Sequence, residues 1–226
     1  MHSHTGAVIF DVDGVLVDSY EAHFQSWLTL AEEAGFSFTR EQFAATFGRT
    51  SRDIIQHFWG EVAEARVGPM DDRKEALFRD IVRGDFPAMP GADALIAALH
   101  DAGLQLAVGS SGPPENVALV LESLEYGSLI DARVTGMDVS QGKPDPEVFQ
   151  IAAKRLGCEV GECVVVEDAP AGIEAAHRAG MAAIGLCSTG RTRDELRDAD
   201  LVVEELCEIT PAAVRELIAL RAESAG

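Results

Sequence analysis

The chain alternates between two hydrophobic patterns: short unbroken apolar runs, and longer stretches with apolar residues three and four positions apart. Val8-Ile9-Phe10 is of the first kind and predicts a strand over about residues 7–12. From residue 18 to about 82 the second kind prevails. Trp27, Leu28, Leu30, Ala31 and Ala34 recur at helical spacing up to Gly35, Ile54, Ile55 and Phe58 mark another face, and Ala76, Leu77, Phe78, Ile81 and Val82 a third. Thr39-Arg40-Glu41-Gln42 reads as a capping box. Nothing here has the pattern of a strand, so the stretch is expected to be a helical insertion, with Pro87 and Pro90 in the hinge that leads back. After Gly91 strands are expected near 104–109, 132–135, 163–167 and 182–186, with an edge strand near 201–203. Helices are expected up to Asp101, after Pro113-Pro114, over 146–156, from Pro170 to Gly180, opening at Thr192-Arg193-Asp194-Glu195, and after Thr210-Pro211.

Strands separated by helices imply a parallel sheet with right-handed crossovers. The expected fold class is therefore α/β: a Rossmann-like parallel-sheet core from residues 1–17 and 87–226, with a helical domain of residues 18–86 inserted after strand 1. A length of 226 residues suits one such domain and a small insertion. At 47% hydrophobic and 25% charged the chain is globular. Its formal net charge of −20 argues against nucleic acid or an anionic membrane as a partner, because both are held by clustered Lys and Arg. Cys158, Cys163, Cys187 and Cys207 form no Cys-x-x-Cys pair, so reduced thiols are expected. No apolar run approaches the ~18 residues of a membrane span, and the start lacks an apolar signal region. A cytoplasmic protein, monomeric or weakly homodimeric, is the expectation.

Charge enters the strand pattern at only a few places. The first run ends in Asp11-Val12-Asp13-Gly14. Two carboxylates at one strand end repel each other unless a cation lies between them, and a hard, oxygen-seeking ion such as Mg2+ answers that need. Gly14 lets the backbone turn sharply. The second run leads into Ser110-Ser111-Gly112. Lys143 sits in Gly142-Lys143-Pro144-Asp145-Pro146, a rigid turn before a helix. The run Cys163-Val164-Val165-Val166 ends in Glu167-Asp168. Three of these four sets fall at strand ends, and in open parallel sheets ligands sit beyond the carboxyl ends of the strands.

These four segments, in this order and spacing, resemble the motifs of the haloacid dehalogenase-like (HAD) hydrolases: Asp11-Val12-Asp13-Gly14-Val15-Leu16-Val17-Asp18-Ser19, then Ser110, Lys143 and Glu167-Asp168. The resemblance spans essentially the whole chain. It is nearest to the subgroup of β-phosphoglucomutase, phosphoglycolate phosphatase and sugar-phosphate phosphatases, and Glu21-Ala22-His23-Phe24-Gln25-Ser26-Trp27 looks like the mutase branch. The resemblance implies that Asp11 is the nucleophile that forms an aspartyl-phosphate, and that Asp13 is the general acid and base. It implies that Mg2+ is held by Asp11, the backbone carbonyl of Asp13 and Asp168, with Glu167 acting directly, through water or from behind. Ser110 would bind a phosphoryl oxygen, with Ser111 and Gly112 offering backbone N–H groups, and Lys143 would balance the charge. The helical insertion would be a cap that selects the leaving group. There His23 would support the general acid, Arg49 or Arg52 could meet a second phosphate, and Lys74 reads mainly as a surface charge.

Two functions share this chemistry. One is a Mg2+-dependent phosphoric monoester hydrolase acting on a small phosphorylated metabolite such as a sugar phosphate or phosphoglycolate. The other is a β-phosphoglucomutase-type phosphomutase. His23, Arg52 and Lys74 favour the mutase. Pro113-Pro114 stands where the mutase branch carries Lys-Asn, removes polar groups that could grip the transferred sugar, and favours the phosphatase. A phospho-receiver signalling domain also uses acidic residues, a hydroxyl and a lysine. It lacks the helical insertion, however, and its aspartate follows strand 3, where only Asp138 occurs here.

Overall fold

The computed structural model describes residues 6–47, 49–60 and 64–224. Gly48, inside the segment expected to contribute Arg49 or Arg52, lies outside them. The described chain forms two compact units, one of Met1–Asp18 with Ala88–Gly226 and one of Ser19–Pro87.

The first unit is built on a six-stranded, wholly parallel sheet. Its strands are β1 (Ala7–Phe10), β2 (Gln105–Gly109), β3 (Ala132–Val134), β4 (Cys163–Glu167), β5 (Ala182–Leu186) and β6 (Leu201–Val203). They lie in the order β3-β2-β1-β4-β5-β6. The chain runs outward from β1 to β3, returns to β4 on the other flank of β1, and runs outward again. The order thus reverses between β1 and β4, the kind of switch point at which open α/β sheets leave a crevice. Successive side chains on a strand face opposite ways. Ile9, Ala107, Val165 and Ala183 join Phe149 and Ile173 in one core cluster, while Val8, Phe10, Val108 and Val164 alternate with them and are also fully buried. A sheet covered on both faces needs apolar residues at every position, so its strands read as continuous runs rather than alternating ones.

The second unit holds α1 (Tyr20–Ala34), α2 (Arg40–Ala44), α3 (Ser51–Phe58) and α4 (Glu64–Gly84). Phe24, Trp27, Phe43, Ile55, Trp59 and Met70 are among the residues of its own apolar cluster. Gly35 ends α1 at φ 76°, the left-handed position glycine fills most readily. The capping box expected at Thr39 forms, with the Thr39 hydroxyl accepting from the Gln42 amide and the Gln42 side chain accepting from the Thr39 amide.

The remaining helices belong to the first unit: α5 (Ala92–Asp101), α6 (Pro114–Ser123), α7 (Glu147–Leu156), α8 (Pro170–Arg178) and α9 (Pro211–Ser224). One expected helix is absent. Residues 192–195 form turns, although Thr192 and Glu195 make the paired bonds of a helix start. The Asp200 carboxylate accepts the Ala183 amide at 2.8 Å and pins the chain to β5, so β6 begins too soon for a helix to extend. No described helix is long and apolar enough to cross a membrane.

Candidate active site

The site is assembled at the carboxyl ends of β1, β2 and β4. The Asp11 amide donates to the Val166 carbonyl at 2.9 Å, which carries the β1–β4 ladder one residue past the strand and holds Asp11 beside the end of β4. The chain then turns tightly. The Leu16 amide donates to the Val12 carbonyl at 2.9 Å and the Gly14 amide to the Val17 carbonyl at 2.8 Å. Gly14 adopts φ 78°, and any Cβ there would run into the Asp168 carboxylate and lie 2.9 Å from Thr189 Cγ2. Only glycine allows so close an approach without displacing its neighbours.

Lys143 joins the two strands chemically. Its Nζ donates to Asp11 Oδ1 at 2.7 Å and to Glu167 Oε1 at 2.5 Å. The lysine is reached through a cis Lys143–Pro144 peptide, and its ammonium lies 5.0 Å from the centre of the Phe149 ring. Burial works against its charge, but Asp11 and Glu167 outweigh burial and hold the pKa above the ordinary lysine value. Glu167 uses its other oxygen for the amides of Asp168 and Ala169, both at 3.0 Å. Its carboxylate thus anchors the lysine and the turn after β4. It packs so tightly against Gly172 that a Cβ there would overlap it.

Asp11, Glu167 and Asp168 bring ligand oxygens within 4.8 Å of one another. Their carboxyl groups outnumber the single ammonium among them. The Asp11 pKa is driven well above the usual carboxylate value by burial and by the neighbouring acids, despite Lys143. Burial and Glu167 push Asp168 up to about 7, partly offset by the Thr189 hydroxyl, Arg191 and Lys143. A buried all-oxygen donor set with excess negative charge fits a hard divalent cation, which would stabilise the ionised carboxylates. The Asp13 carboxylate is not part of this group. It is half-buried on the side of the Ser110 turn, with Oδ2 3.9 Å from where a Cβ on Gly112 would lie.

Ser110 is buried at the end of β2. Its hydroxyl oxygen accepts the Gly112 amide at 3.0 Å, which leaves its O–H free to donate. The Gly112 amide, expected to face an anion, is therefore already engaged. The helix expected after Pro113-Pro114 forms as α6: Pro113 is its N-cap and Pro114 its first residue, and neither has an N–H to offer.

In the helical unit, Lys74 corrects its reading as a surface charge. It is 2% exposed. Its Nζ lies 2.7 Å from His23 Nδ1 and 3.0 Å from Glu75 Oε1, and the Ser51 hydroxyl donates to the same Glu75 oxygen at 2.6 Å. With the ammonium as donor, Nδ1 is the acceptor. The His23 ring stacks on Phe78 at 3.9 Å. Burial would raise the Glu75 carboxyl, but the Lys74 ammonium and the Ser51 hydroxyl help hold it down at about 2. Arg52 pairs with Asp71 at 3.1 Å and is exposed, as is Arg49.

The family model described as haloacid dehalogenase-like hydrolase matches residues 8–186, from within β1 to the end of β5. The chain belongs to this family. It is similar to hexitol phosphatase A of Escherichia coli, 34% identical over 89% of this chain and 92% of that protein. It is also similar to β-phosphoglucomutase of Bacillus subtilis, 31% identical over 93% of this chain and 94% of that protein. The fold is that of a β-phosphoglucomutase crystal structure from Clostridium difficile, with a TM-score of 0.85, 22% identity, and coverage of 96% of this chain and 99% of that one.

Three residues of the site escaped the sequence reading. Ser188 and Thr189 follow β5, and their hydroxyls donate to the Gly14 carbonyl at 2.5 Å and to Asp168 Oδ2 at 2.6 Å. Arg191, in the same loop, acts on the charge of Asp168. The available signal was Cys187-Ser188-Thr189-Gly190 directly after an apolar run, at the same sheet edge as the other motifs.

Proposed function

We propose that this HAD-family chain is a Mg2+-dependent phosphoric monoester hydrolase acting on a small phosphorylated carbohydrate or polyol through an aspartyl-phosphate. The observation that carries this reading is Asp11, held at the end of β1 by Lys143 inside a buried acidic group at the sheet's switch point.

The Asp11 carboxylate attacks phosphorus in line, forming an O–P bond as the bond to the leaving oxygen breaks. Asp13 gives its proton to that oxygen and then takes one from the water that hydrolyses the aspartyl-phosphate. Ser110 donates to a phosphoryl oxygen. Lys143 holds Asp11 in place and offsets part of the charge of Asp11 and of the phosphoryl group, and Glu167 holds Lys143 in place. Asp11, Asp168 and the Asp13 carbonyl would hold Mg2+, with Glu167 behind them. The ion would neutralise the repulsion between the carboxylates and the phosphoryl group and polarise that group. The helical unit serves as the cap that selects the leaving group, with His23, Lys74 and Arg52 the candidates for that selection.

The similarity to hexitol phosphatase A supports hydrolysis, and so does Pro113-Pro114, because these two positions at the start of α6 offer neither a backbone N–H nor a polar side chain to a second phosphate. The similarity to β-phosphoglucomutase and the buried His23–Lys74 pair support a phosphomutase as the second reading. The deciding assay supplies β-glucose 1-phosphate with a trace of β-glucose 1,6-bisphosphate, beside hexitol phosphates and phosphoglycolate, and follows free phosphate and glucose 6-phosphate. Free phosphate from at least one monoester, dependent on Mg2+, is expected. Rapid glucose 6-phosphate formation with little free phosphate would replace the phosphatase by the mutase.

A further inference from the structure

The loop after β5 is bonded to both sides of the switch point, although β5 does not pair with β1. Ser188 donates to the carbonyl of Gly14, in the turn after β1, at 2.5 Å. The next residue, Thr189, donates to Asp168 Oδ2, after β4, at 2.6 Å. Since β4 lies between β1 and β5, the loop reaches past the end of β4 to the β1 turn at Ser188 and takes hold of the Asp168 carboxylate with the next residue.

Thr189 makes this contact from φ 55°, the one positive φ outside glycine among the described residues. A β-branched side chain is an outlier there. Backbone strain of this kind persists where the surroundings over-determine it, and it clusters at functional sites. The neighbouring glycines matter as well. Gly190 continues at φ 83°, and Gly14 leaves the space into which Thr189 Cγ2 and Asp168 Oδ2 fit.

Resting on the Mg2+-dependent reading above, we infer that Thr189 is a positioning residue for the metal centre: its hydroxyl engages one oxygen of Asp168, sets the plane of the carboxylate, and leaves the other oxygen for the cation. A carboxylate free to rotate has to be ordered when the ion binds, whereas one already bonded on its far oxygen does not. Outer partners that orient a ligand typically contribute ~10–100-fold to metal affinity.

The test is Mg2+ binding measured by titration calorimetry on metal-free protein, with no substrate present. Thr189→Val keeps the branched shape and the backbone demand but removes the hydroxyl. It should weaken Mg2+ binding by about 10–100-fold. Thr189→Ser restores the hydroxyl and should return affinity to within about threefold of the parent, below that range. In turnover assays the Mg2+ concentration for half-maximal rate should rise in Thr189→Val, while kcat at saturating Mg2+ changes far less. If Thr189→Val does not fold, Thr189→Gly carries the same test, because glycine accepts this backbone without strain. Parent-like affinity in the hydroxyl-free variant would overturn the inference and leave the Mg2+ reading intact. So would a Thr189→Ser affinity as weak as that of Thr189→Val, which would trace the effect to loop shape. A parent protein that binds no Mg2+ would overturn both.

Discussion

Two lysines among the described residues are drawn in from solvent, Lys74 fully and Lys143 largely, one in each unit, and their surroundings differ in kind. Lys143 is reached from a proline-flanked turn and lies between carboxylates from two different strands, Asp11 and Glu167. Lys74 lies mid-helix in α4, between His23 from α1 and Glu75, the next residue in its own helix. Around Lys143 acidic groups exceed basic ones, so the region retains a demand for positive charge. Around Lys74 the ammonium is matched by the Glu75 carboxylate, with the His23 imidazole bonded to the lysine and the Ser51 hydroxyl to the carboxylate. Both ammonium groups are desolvated. Only the first stands in a set of groups left incomplete by its own charges, and that incompleteness is what an anionic substrate and a cation can exploit.

The contrast is broken most severely by Asp11→Asn. Phosphate release should fall to assay background while the thermal melt shows a folded protein, because the amide keeps the shape but cannot attack phosphorus. Asp13→Asn should reduce turnover by about 10²–10⁴-fold, the usual contribution of general acid–base catalysis. Its Mg2+ affinity should stay near the parent value, since the Asp13 carboxylate lies outside the acidic group. Substrates with good leaving groups should suffer less in the burst phase.

Lys74→Met probes the other unit. It removes the ammonium bonded to the buried Glu75 carboxylate and should cost about 3–5 kcal/mol in urea unfolding, as breaking a buried pair from one side does. Adding Glu75→Gln should recover most of that loss, and a double variant no more stable than Lys74→Met would contradict the paired description. A smaller effect is expected from pH. An unfolded aspartate titrates near 3.9, whereas burial and Glu167 push Asp168 up to about 7. Between those values the folded chain keeps a proton that the unfolded chain has lost, so this group lowers stability as pH rises from about 4 to about 7. Urea midpoints in EDTA and in saturating Mg2+ should diverge across that window, with the Mg2+ series the flatter. The smallest effect is Thr39→Ala, which removes the capping box of α2 and should cost about 1 kcal/mol in the same urea series.

The two lysines also mark how far the sequence could be read. All six strands were expected, and the four central ones, β1, β2, β4 and β5, were the most legible because a sheet covered on both faces demands unbroken apolar runs there, with Asp11 and Glu167 standing out as charges that end such runs. Lys143 was legible through the prolines around it. Lys74 was not, because it sits in Asp71-Asp72-Arg73-Lys74-Glu75, which looks like a solvated helix face. Yet Val67, Met70, Lys74, Phe78 and Val82 are the buried positions of α4, and their spacing puts the lysine on the apolar stripe. Periodicity carried the signal, and residue type obscured it. Thr189 was hidden for another reason. A hydroxyl in a turn has many local uses, and the bond to Asp168 exists only because β4 and β5 are neighbours in space. The helix expected at 192–195 failed in the same way, since the bond from Ala183 to Asp200 is a tertiary constraint that no local pattern announces.

The placement of β1 at the middle of the sheet also bears on the order in which the molecule can be made. Its partners begin at Gln105 and Cys163, beyond the whole helical unit. As the chain leaves the ribosome, the strand that leads into Asp11 emerges before both of its partners and must wait, unpaired, while the helical unit is completed at Pro87 with contacts made among its own residues. The long-range pairings around β1 carry the larger loop-closure cost. The edge that gathers Asp11, Lys143 and Glu167 is therefore the last part of the sheet's centre to close, when Glu167 arrives to take Lys143.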